Sequence, residues 1–206
     1  MYFVNTPRLL KKIFNNYTWA LPNNNNEVYL TFDDGPHPTI TPWVLNQLNS
    51  INAKATFYCI GNNAIKYPET LQQILLNNHL VANHTFNHLN GFKTPLNIYL
   101  QNIKKAQEVL NCAKLFRPPY GRITNTQGRA LIKLGYKIIM WQVLSADFDN
   151  KYTPQKCLAI LKKHTKAGAI IVFHDSEKAW PRLKEILPLY FAWLQNKAFK
   201  CAVINA

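Results

Sequence analysis

The sequence predicts one α/β domain in which parallel strands alternate with helices. Apolar, β-branched or aromatic runs occur at seven places, and most of the intervals between them carry helical patterns. A chain of 206 residues with 48% hydrophobic content is long enough to bury one large core. Because the chain contains no G-x-G-x-x-G motif, we favour a closed or nearly closed β/α barrel over an open doubly wound sheet.

Strand and helix positions follow from the spacing of the apolar residues. Helices are predicted from apolar stripes after Pro42 and over 96–110 and 154–164. Gly135 and Gly168 each follow a helical run and precede a strand, where a glycine commonly ends a helix. This alternation implies parallel strands joined by helical crossovers. The predicted strands cover residues 28–32, 55–60, 79–83, 114–117, 137–143, 169–173 and 199–204.

The N-terminal part of the chain differs in composition from the rest. Residues 1–22 form a short basic lead with aromatic residues, and the run from Asn23 to Asn26 predicts a turn or loose link. We therefore expect a lead and link at 1–26 and a single folded domain at 27–206. The lead lacks the apolar centre of a signal peptide, and no stretch approaches the length of a membrane span. A cytoplasmic monomer is expected.

The charge is strongly basic, with 24 Lys and Arg against 10 Asp and Glu and a formal net charge of +14. A field of this sign favours anionic partners such as nucleic acid, an anionic membrane face or an acidic glycan. The basic residues are spread along the chain, which favours an ordinary solvated surface. No zinc-finger spacing, basic zipper or aromatic RNA-binding signature is present, so no specific nucleic-acid partner is expected.

The four cysteines predict free thiols. Cys59, Cys112, Cys157 and Cys201 are far apart, and none belongs to a C-x-x-C pair. This spacing is typical of neither a disulfide framework nor a thiolate zinc site, and it favours a reducing compartment.

Two adjacent carboxylates, Asp33 and Asp34, stand at the end of an apolar, β-prone run and are followed at once by the turn residues Gly35 and Pro36. A strand that ends in this way presents both carboxylates in a small space. Two negative charges so close together raise the proton affinity of one carboxylate unless a cation lies between them. The pair therefore indicates a metal site.

His84 and His88 are spaced four residues apart, which on a helical turn would place both imidazoles on one side. Alone, such a pair is also common among surface histidines. Joined to a carboxylate from another strand end, it becomes a two-histidine, one-carboxylate set that leaves coordination positions open. We expect one divalent metal ion, with zinc preferred and cobalt, nickel and iron as alternatives.

Other chemically capable residues also follow predicted strands, where parallel β/α proteins build their sites. The aspartate that does not bind the metal can act as a base, and His174 can act as an acid. Arg117, in a turn stiffened by two prolines, can hold a carboxylate by a forked contact. The alternatives are a His174 bonded to a backbone carbonyl and a solvated Arg117. Tyr120 and Asp147 also follow predicted strands and are the remaining candidate site residues.

Five blocks follow one another along the chain: T-F-D-D-G-P at 31–36, His84-x-x-x-His88, R-P-P-Y-G at 117–121, the segment 141–147 and V-F-H-D at 172–175. Together they resemble the polysaccharide deacetylases of the NodB-homology type. The resemblance spans residues 27–204 in the family's order, and it implies a distorted seven-stranded (β/α) barrel. It also implies metal-dependent removal of acetyl groups from N-acetylated sugars of a peptidoglycan-like or chitin-like oligo- or polysaccharide, or from O-acetylated sugars. The expected partner is an acetylated glycan, and the basic charge favours an anionic one.

The resemblance also implies a role for each residue by position. Asp33 would be the catalytic base, oriented by Arg117. The implied metal ligands are Asp34, His84 and His88.

Two further groups are implied to act on the acetyl group and on the departing amine. The backbone N–H of Tyr120 would, together with the metal, hold the oxyanion of the tetrahedral intermediate. His174 would be the general acid that protonates the amine.

One block departs from the family pattern. Where many members have two acidic positions and a tryptophan, this chain has Leu144, Asp147 and Phe148. The first acid usually helps to tune the acidic histidine, so its support for His174 is missing. We expect either that Asp147 or Asp149 takes that role from a nearby position, or that His174 has a lower proton affinity and the activity on the usual substrate is weak.

Two functions of other classes remain as alternatives. A glycan-binding module could keep the barrel without chemistry, but binding does not need the two aspartates and three histidines as a set. A nucleic-acid binder rests on the net charge alone.

Overall fold

A computed structural model describes residues 2–22 and 25–204 and shows a curled parallel sheet with helices packed on its outside. Two residues of the predicted link, Asn23 and Asn24, lie outside the described residues. The strands are β1 (Glu27–Asp33), β2 (Thr56–Cys59), β3 (Leu80–Asn83), β4 (Leu115–Phe116), β5 (Lys137–Ile138), β6 (Val143–Leu144), β7 (Ile170–His174) and β8 (Lys200–Cys201). Seven of them form one path in the order β5-β4-β3-β2-β1-β7-β6, and β8 pairs with the start of β1. The predicted distorted (β/α) barrel is confirmed, as a single α/β domain.

Helices connect the strands, and two of them match the predicted bounds of 96–110 and 154–164. The second begins at a threonine cap, because Thr153 Oγ1 accepts the N–H of Lys156. The α-helices are α1 (Arg8–Ile13), α2 (Ile40–Ser50), α3 (Gly61–Lys66), α4 (Pro68–Leu76), α5 (Leu96–Leu110), α6 (Asn125–Lys133), α7 (Pro154–His164) and α8 (Trp180–Asn196). No helix in the described part of the chain combines the length and hydrophobicity that a bilayer span requires.

The prediction of one strand over 137–143 is wrong. The run divides into β5 and β6, which lie at opposite ends of the strand order. Between them the backbone bonds elsewhere: the N–H of Met140 donates to the carbonyl of Thr18, and that of Gln142 to the carbonyl of Ile170. An apolar run shows that a segment is buried but does not show where it bends.

The N-terminal residues occupy the gap that the divided strand leaves. Thr18 forms a parallel bridge with Ile139, and Asn5 forms an antiparallel bridge with Val143 of β6. The carbonyl of Val4 also accepts the N–H of Leu144 at 2.9 Å. Because β5 and β6 do not pair with each other among the described strands, these bonds cover the edges of the half-barrel.

Alternation along the strands separates the core from the site. In β1, Val28, Leu30 and Phe32 pack in the main core with the helices. Tyr29 belongs to the smaller cluster that also holds Tyr58, on the other face of the sheet. Asp33 has the same parity as Tyr29, so its side chain lies on the inner face of the barrel.

All four cysteines are free, as predicted.

Candidate active site

The carboxyl ends of the strands meet around one cavity of about 490 Å³. In the parallel pairing of β1 with β7, the register sets Asp33 directly beside His174. The predicted convergence of strand-end residues is therefore observed. The cavity is lined by residues that include Asp33, Asp34, His84, His88, Tyr120 and His174.

The backbone turns sharply between the two aspartates, which separates their side chains. Asp33 ends β1 with ordinary strand geometry and is buried, whereas Asp34 has a φ of 82°. The Nδ2 of Asn63 donates to the carbonyl of Asp34 at 2.8 Å, and the next N–H, of Gly35, donates to Asp175 Oδ1 at 3.1 Å. These bonds hold a left-handed conformation that is unfavourable for a non-glycine residue.

Asp34, His84 and His88 form a cluster that could hold a metal ion. One ligand atom from each residue lies within 4.8 Å of the others. Asp34 Oδ1 is 3.1 Å from His88 Nε2 and 3.7 Å from His84 Nε2. One carboxylate oxygen and two imidazole nitrogens suit a catalytic metal site with open positions, so the donor set fits a divalent ion.

The tautomer of His84 agrees with a ligand role. Its Nδ1 lies 2.8 Å from the carbonyl of Arg117, which can only accept, so the proton is on Nδ1 and the lone pair of Nε2 faces Asp34. Burial lowers the pKa of His84 to about 4, which keeps the ring neutral. A neutral imidazole is the form that binds a metal.

The charge state of Asp34 also fits that role. Burial alone would raise the pKa of the Asp34 carboxyl, but the hydrogen bond from His88 and the neighbouring histidines hold it below its usual range. The cluster therefore presents an ionised carboxylate beside neutral His84.

The segment that carries the two histidines is a loop after β3 and contains no helix. Thr85 and His88 both have positive φ, 67° and 56°. The two imidazole rings nevertheless meet, with centroids 5.1 Å apart. A helical turn is therefore not what brings the pair together.

Arg117 is fully buried and holds Asp33. Its Nη1 lies 2.7 Å from Asp33 Oδ1 and also donates to Thr31. Nε and Nη2 donate to the carbonyls of Ile139 and Met140, the bend between β5 and β6. The contact with Asp33 involves one guanidinium nitrogen, so the predicted contact is present but is not forked.

Tyr58 lies beneath the Arg117 guanidinium, which is 4.0 Å from the centroid of its ring. Strand alternation places Tyr58 on one face of β2, but no local pattern pairs it with Arg117, which follows β4.

Tyr120 stands in a tight turn with a φ of 60°. The next two N–H groups, of Gly121 and Arg122, bond back to Pro118 and Pro119, whereas no backbone bond described for this turn uses the N–H of Tyr120. The exposed ring packs on His88 with centroids 4.6 Å apart. The residue thus lies at the mouth of the cavity beside the histidine cluster.

His174 is held by Asp147. Asp147 Oδ1 is 2.8 Å from His174 Nδ1, and Oδ2 accepts the backbone N–H of His174 at 2.8 Å. Burial alone would lower the pKa of His174, but the charge and hydrogen bond of Asp147, with Asp34 and Asp33, raise it to about 9. His174 is therefore an imidazolium at neutral pH in this arrangement.

Asp147 and Asp149, the two candidates to replace the acid that Leu144 lacks, have different contacts. Asp147 contacts His174, whereas Asp149 accepts the hydroxyl of Tyr2 at 2.5 Å. Leu144 is buried and lines the cavity.

Asp175, the last residue of the V-F-H-D block, carries a buried carboxyl group for which the sequence predicts no role. It accepts hydrogen bonds from Gly35 and from the hydroxyl of Thr41. Burial raises the pKa of this carboxyl to about 7, although the bond from Thr41 opposes the rise. Its position next to His174 in the sequence was the available signal.

The family model described as polysaccharide deacetylase matches residues 20–139, more than half of the chain. The chain belongs to this family. A peptidoglycan-N-acetylglucosamine deacetylase of Bacillus cereus is 35% identical over 164 residues, which cover 77% of this chain and 76% of the relative. A second protein of that name from the same organism is 38% identical over 139 residues, and that match spans 65% of this chain but 50% of the relative.

Two further relatives extend the comparison. A chitooligosaccharide deacetylase of Azorhizobium caulinodans is 34% identical over 161 residues, which cover 75% of this chain and 76% of the relative. The crystal structure of the Bc1960 peptidoglycan N-acetylglucosamine deacetylase superposes with a TM-score of 0.88 at 29% identity, covering 97% of this chain and 95% of the other. The family fold therefore extends over nearly the whole chain.

Proposed function

We propose that the protein is a metal-dependent hydrolase that removes acetyl groups from N-acetylated sugars of an oligo- or polysaccharide. One observation carries the proposal: the Asp34, His84 and His88 cluster shares a cavity with the carboxyl group of Asp33 and with the imidazole of His174, which Asp147 holds. Deacetylases that act on peptidoglycan and on chitooligosaccharides are among the relatives, which supports the same reaction.

The proposed metal ligands are Asp34, His84 and His88. A divalent ion bound there, with zinc preferred, would act as a Lewis acid on the acetyl carbonyl and lower the pKa of a coordinated water. The chain's own part is to fix the three donors. The hydrogen bond from His84 Nδ1 to the Arg117 carbonyl orients that ring toward Asp34.

Asp33 is the proposed general base. Its carboxylate lies beside the cluster, where it can accept a proton from the attacking water as the new C–O bond forms. Arg117 keeps Oδ1 in place, and burial shields this pair from bulk solvent. Asp33 is thus held in a fixed position before the reaction begins.

The other two groups act on the tetrahedral intermediate that the attack forms. The backbone N–H of Tyr120 is the proposed donor to the oxyanion. His174 is the proposed general acid: Asp147 holds Nδ1, which leaves the Nε2 proton for the departing amine as the C–N bond breaks. Acetate and a free amino sugar are the products.

We further propose that the glycan is anionic. Three cationic side chains, Lys93, Arg122 and Lys178, line the cavity, and none of them takes part in the ion pairs of the described residues. With a net charge of +14, the protein offers a field that attracts a negatively charged polymer. The monomeric state and the cytoplasmic location stay predictions from the sequence.

Acetate release tests the proposal. The purified protein, loaded with zinc or cobalt, is expected to release acetate from peptidoglycan fragments, N-acetylglucosamine oligomers or a generic acetyl ester, and Asp33→Asn is expected to abolish release. The ester shows whether O-acetyl groups are also accepted. If the wild type binds metal but releases no acetate from any of these, the hydrolase assignment is wrong.

A further inference from the structure

The N-terminal segment from Tyr2 to Thr6 lies along the edge of β6 beside the cavity. The N–H of Thr6 donates to the carbonyl of Gln142 at 3.1 Å, and the Thr6 hydroxyl donates to the carbonyl of Trp141 at 2.7 Å. The indole N–H of Trp141 donates back to the carbonyl of Phe3 at 3.4 Å. These bonds place the start of the segment next to the candidate active site. The family match begins at residue 20, so this segment lies outside it.

Tyr2 reaches the cavity from this segment. Its hydroxyl donates to Asp149 Oδ2 at 2.5 Å, and Asp149 in turn accepts the N–H of Lys151. The Tyr2 ring meets the ring of Phe148 with centroids 5.2 Å apart, and Phe148 meets His174 with centroids 4.8 Å apart. Tyr2 is therefore fixed at both ends of its side chain and lies one aromatic ring away from the proposed general acid.

The wall that results is apolar and largely aromatic, with the Tyr2 and Phe148 rings inclined at 60° to each other. Tyr2, Phe148, Trp141 and Leu144 all line the cavity, and Tyr2 and Phe148 are half-buried, so their rings keep an accessible face. A pyranose ring presents its C–H groups on its two faces, which pack on aromatic rings, while its hydroxyls stay at the rim. An acetyl group alone is too small to reach from the Asp34 cluster past Phe148 to Tyr2.

We propose that Tyr2 contacts the substrate and binds the sugar next to the one that loses its acetyl group. Tyr2 would then determine a preference for oligosaccharides over small acetyl compounds. The proposal rests on the proposed deacetylase function.

The test compares substrates of two sizes. For an N-acetylglucosamine tetramer, Tyr2→Ala is expected to raise KM by about three- to tenfold with kcat within twofold. Hydrolysis of p-nitrophenyl acetate is expected to stay unchanged. Tyr2→Phe keeps the ring and should stay within twofold of wild type on both substrates. Tyr2→Leu keeps apolar bulk without a flat ring and should behave like Tyr2→Ala, which covers the case in which the alanine variant folds poorly.

Phe3→Ala is the matched control, because Phe3 belongs to the same segment, is exposed and does not line the cavity. It should leave both substrates unaffected. Equal losses on the tetramer and the ester in Tyr2→Ala and Tyr2→Leu, or no change in KM for the tetramer, would overturn the proposal.

A binding readout separates this inference from the proposed reaction. Calorimetry with metal-free protein and the same tetramer measures affinity without turnover. Tyr2→Ala is expected to weaken binding about three- to tenfold relative to wild type and to Phe3→Ala. Weakened binding in a protein that never releases acetate would support the Tyr2 contact while the hydrolase function fails, and unchanged binding would contradict the contact.

Discussion

Asp147 contacts His174 through both of its carboxylate oxygens: Oδ1 lies 2.8 Å from the imidazole Nδ1, and Oδ2 accepts the backbone N–H at 2.8 Å. The first bond stabilises the imidazolium form, and the second fixes the position of the carboxylate. Support for the proposed acid therefore comes from the second acidic position of the block, with Leu144 at the first.

Asp147→Asn should move the basic side of the pH profile to lower pH. Burial lowers the pKa of His174, and the charge of Asp147 is the largest influence that raises it, to about 9. A general acid must be protonated, so activity is lost as pH rises through its pKa. Without the Asp147 carboxylate the pKa falls and the loss begins at lower pH.

The measurement is kcat/KM against pH from about 5 to 10, with metal bound. A bound cation lowers the pKa of His174 in both proteins, so the direction of the shift is the test. Glu108→Gln, an exposed change on α5, serves as the control and should leave the profile in place. An unchanged basic limb in Asp147→Asn would show that His174 is not the acid.

The two adjacent aspartates should respond differently to substitution. Asp34→Ala removes a proposed ligand and should weaken metal binding by at least about tenfold. Asp33→Asn should leave metal binding within about twofold and remove turnover, because Arg117 holds Asp33 Oδ1 and Asp33 is not one of the three proposed ligands. Metal titration by calorimetry and acetate release measure the two properties separately. Equal loss of metal in both variants would contradict the division of roles.

Part of this site could be predicted from the sequence because parallel strands end on one face. Once β1 and β7 are neighbours, Asp33 and His174 must meet, and their order along the chain does not matter. The alternation within β1 likewise sets which side chains face inward.

The rest depends on hydrogen bonds between distant residues that no local pattern encodes. The bend after Ile138 is held by Thr18 and Arg117, which are far from it in sequence. The loop geometry of His88, with its positive φ, cannot be inferred from a four-residue spacing. The contact between Tyr2 and Asp149 joins residues 147 positions apart, so no spacing rule reaches it.

Arg117→Met should destabilise the protein by about 3–5 kcal/mol, because it leaves the Asp33 carboxylate buried without its partner. The carbonyls of Ile139 and Met140 would lose their donors as well. Adding Asp33→Asn removes the buried charge and should restore at least about 1 kcal/mol. Urea unfolding gives these values. Arg129→Met, an exposed change, should lie within about 0.5 kcal/mol of wild type.

The cationic rim of the cavity, formed by Lys93, Arg122 and Lys178, predicts a difference between anionic and neutral glycans. Lys93→Gln and Lys178→Gln should each raise KM for peptidoglycan fragments by up to about fivefold, since exposed charge pairs contribute up to about 1 kcal/mol. KM for neutral N-acetylglucosamine oligomers should not change. Added salt should raise the first KM and not the second.

Lys133→Gln and Lys162→Gln are the matched controls, because they remove the same charge from exposed positions on α6 and α7. An equal effect of all four substitutions would point to the overall charge of the protein. An effect on both glycans would contradict recognition of a negative group at the rim.

Gly35→Ala should show that Asp175 fixes the turn after the carboxylate pair. A Cβ atom at residue 35 would overlap the carboxyl group of Asp175, which accepts the N–H of Gly35 and the hydroxyl of Thr41. Overpacking of this kind costs about 1–3 kcal/mol, and here it would also move Asp34 away from the histidines.

The double variant Gly35→Ala/Asp175→Ala shows why glycine is required at position 35: because of its closeness to Asp175, or because of its backbone conformation. Removing the Asp175 carboxyl vacates the space that the new methyl group needs, so the double variant should be no less stable than Asp175→Ala alone. Urea unfolding of the four proteins gives the coupling energy, expected to be at least about 1 kcal/mol in favour of the pair. If the two costs simply add, the glycine is required for its backbone and not for its closeness to Asp175. Metal titration of Gly35→Ala then shows whether the turn also sets the position of Asp34, since a displaced carboxylate would bind metal more weakly even in protein that remains folded.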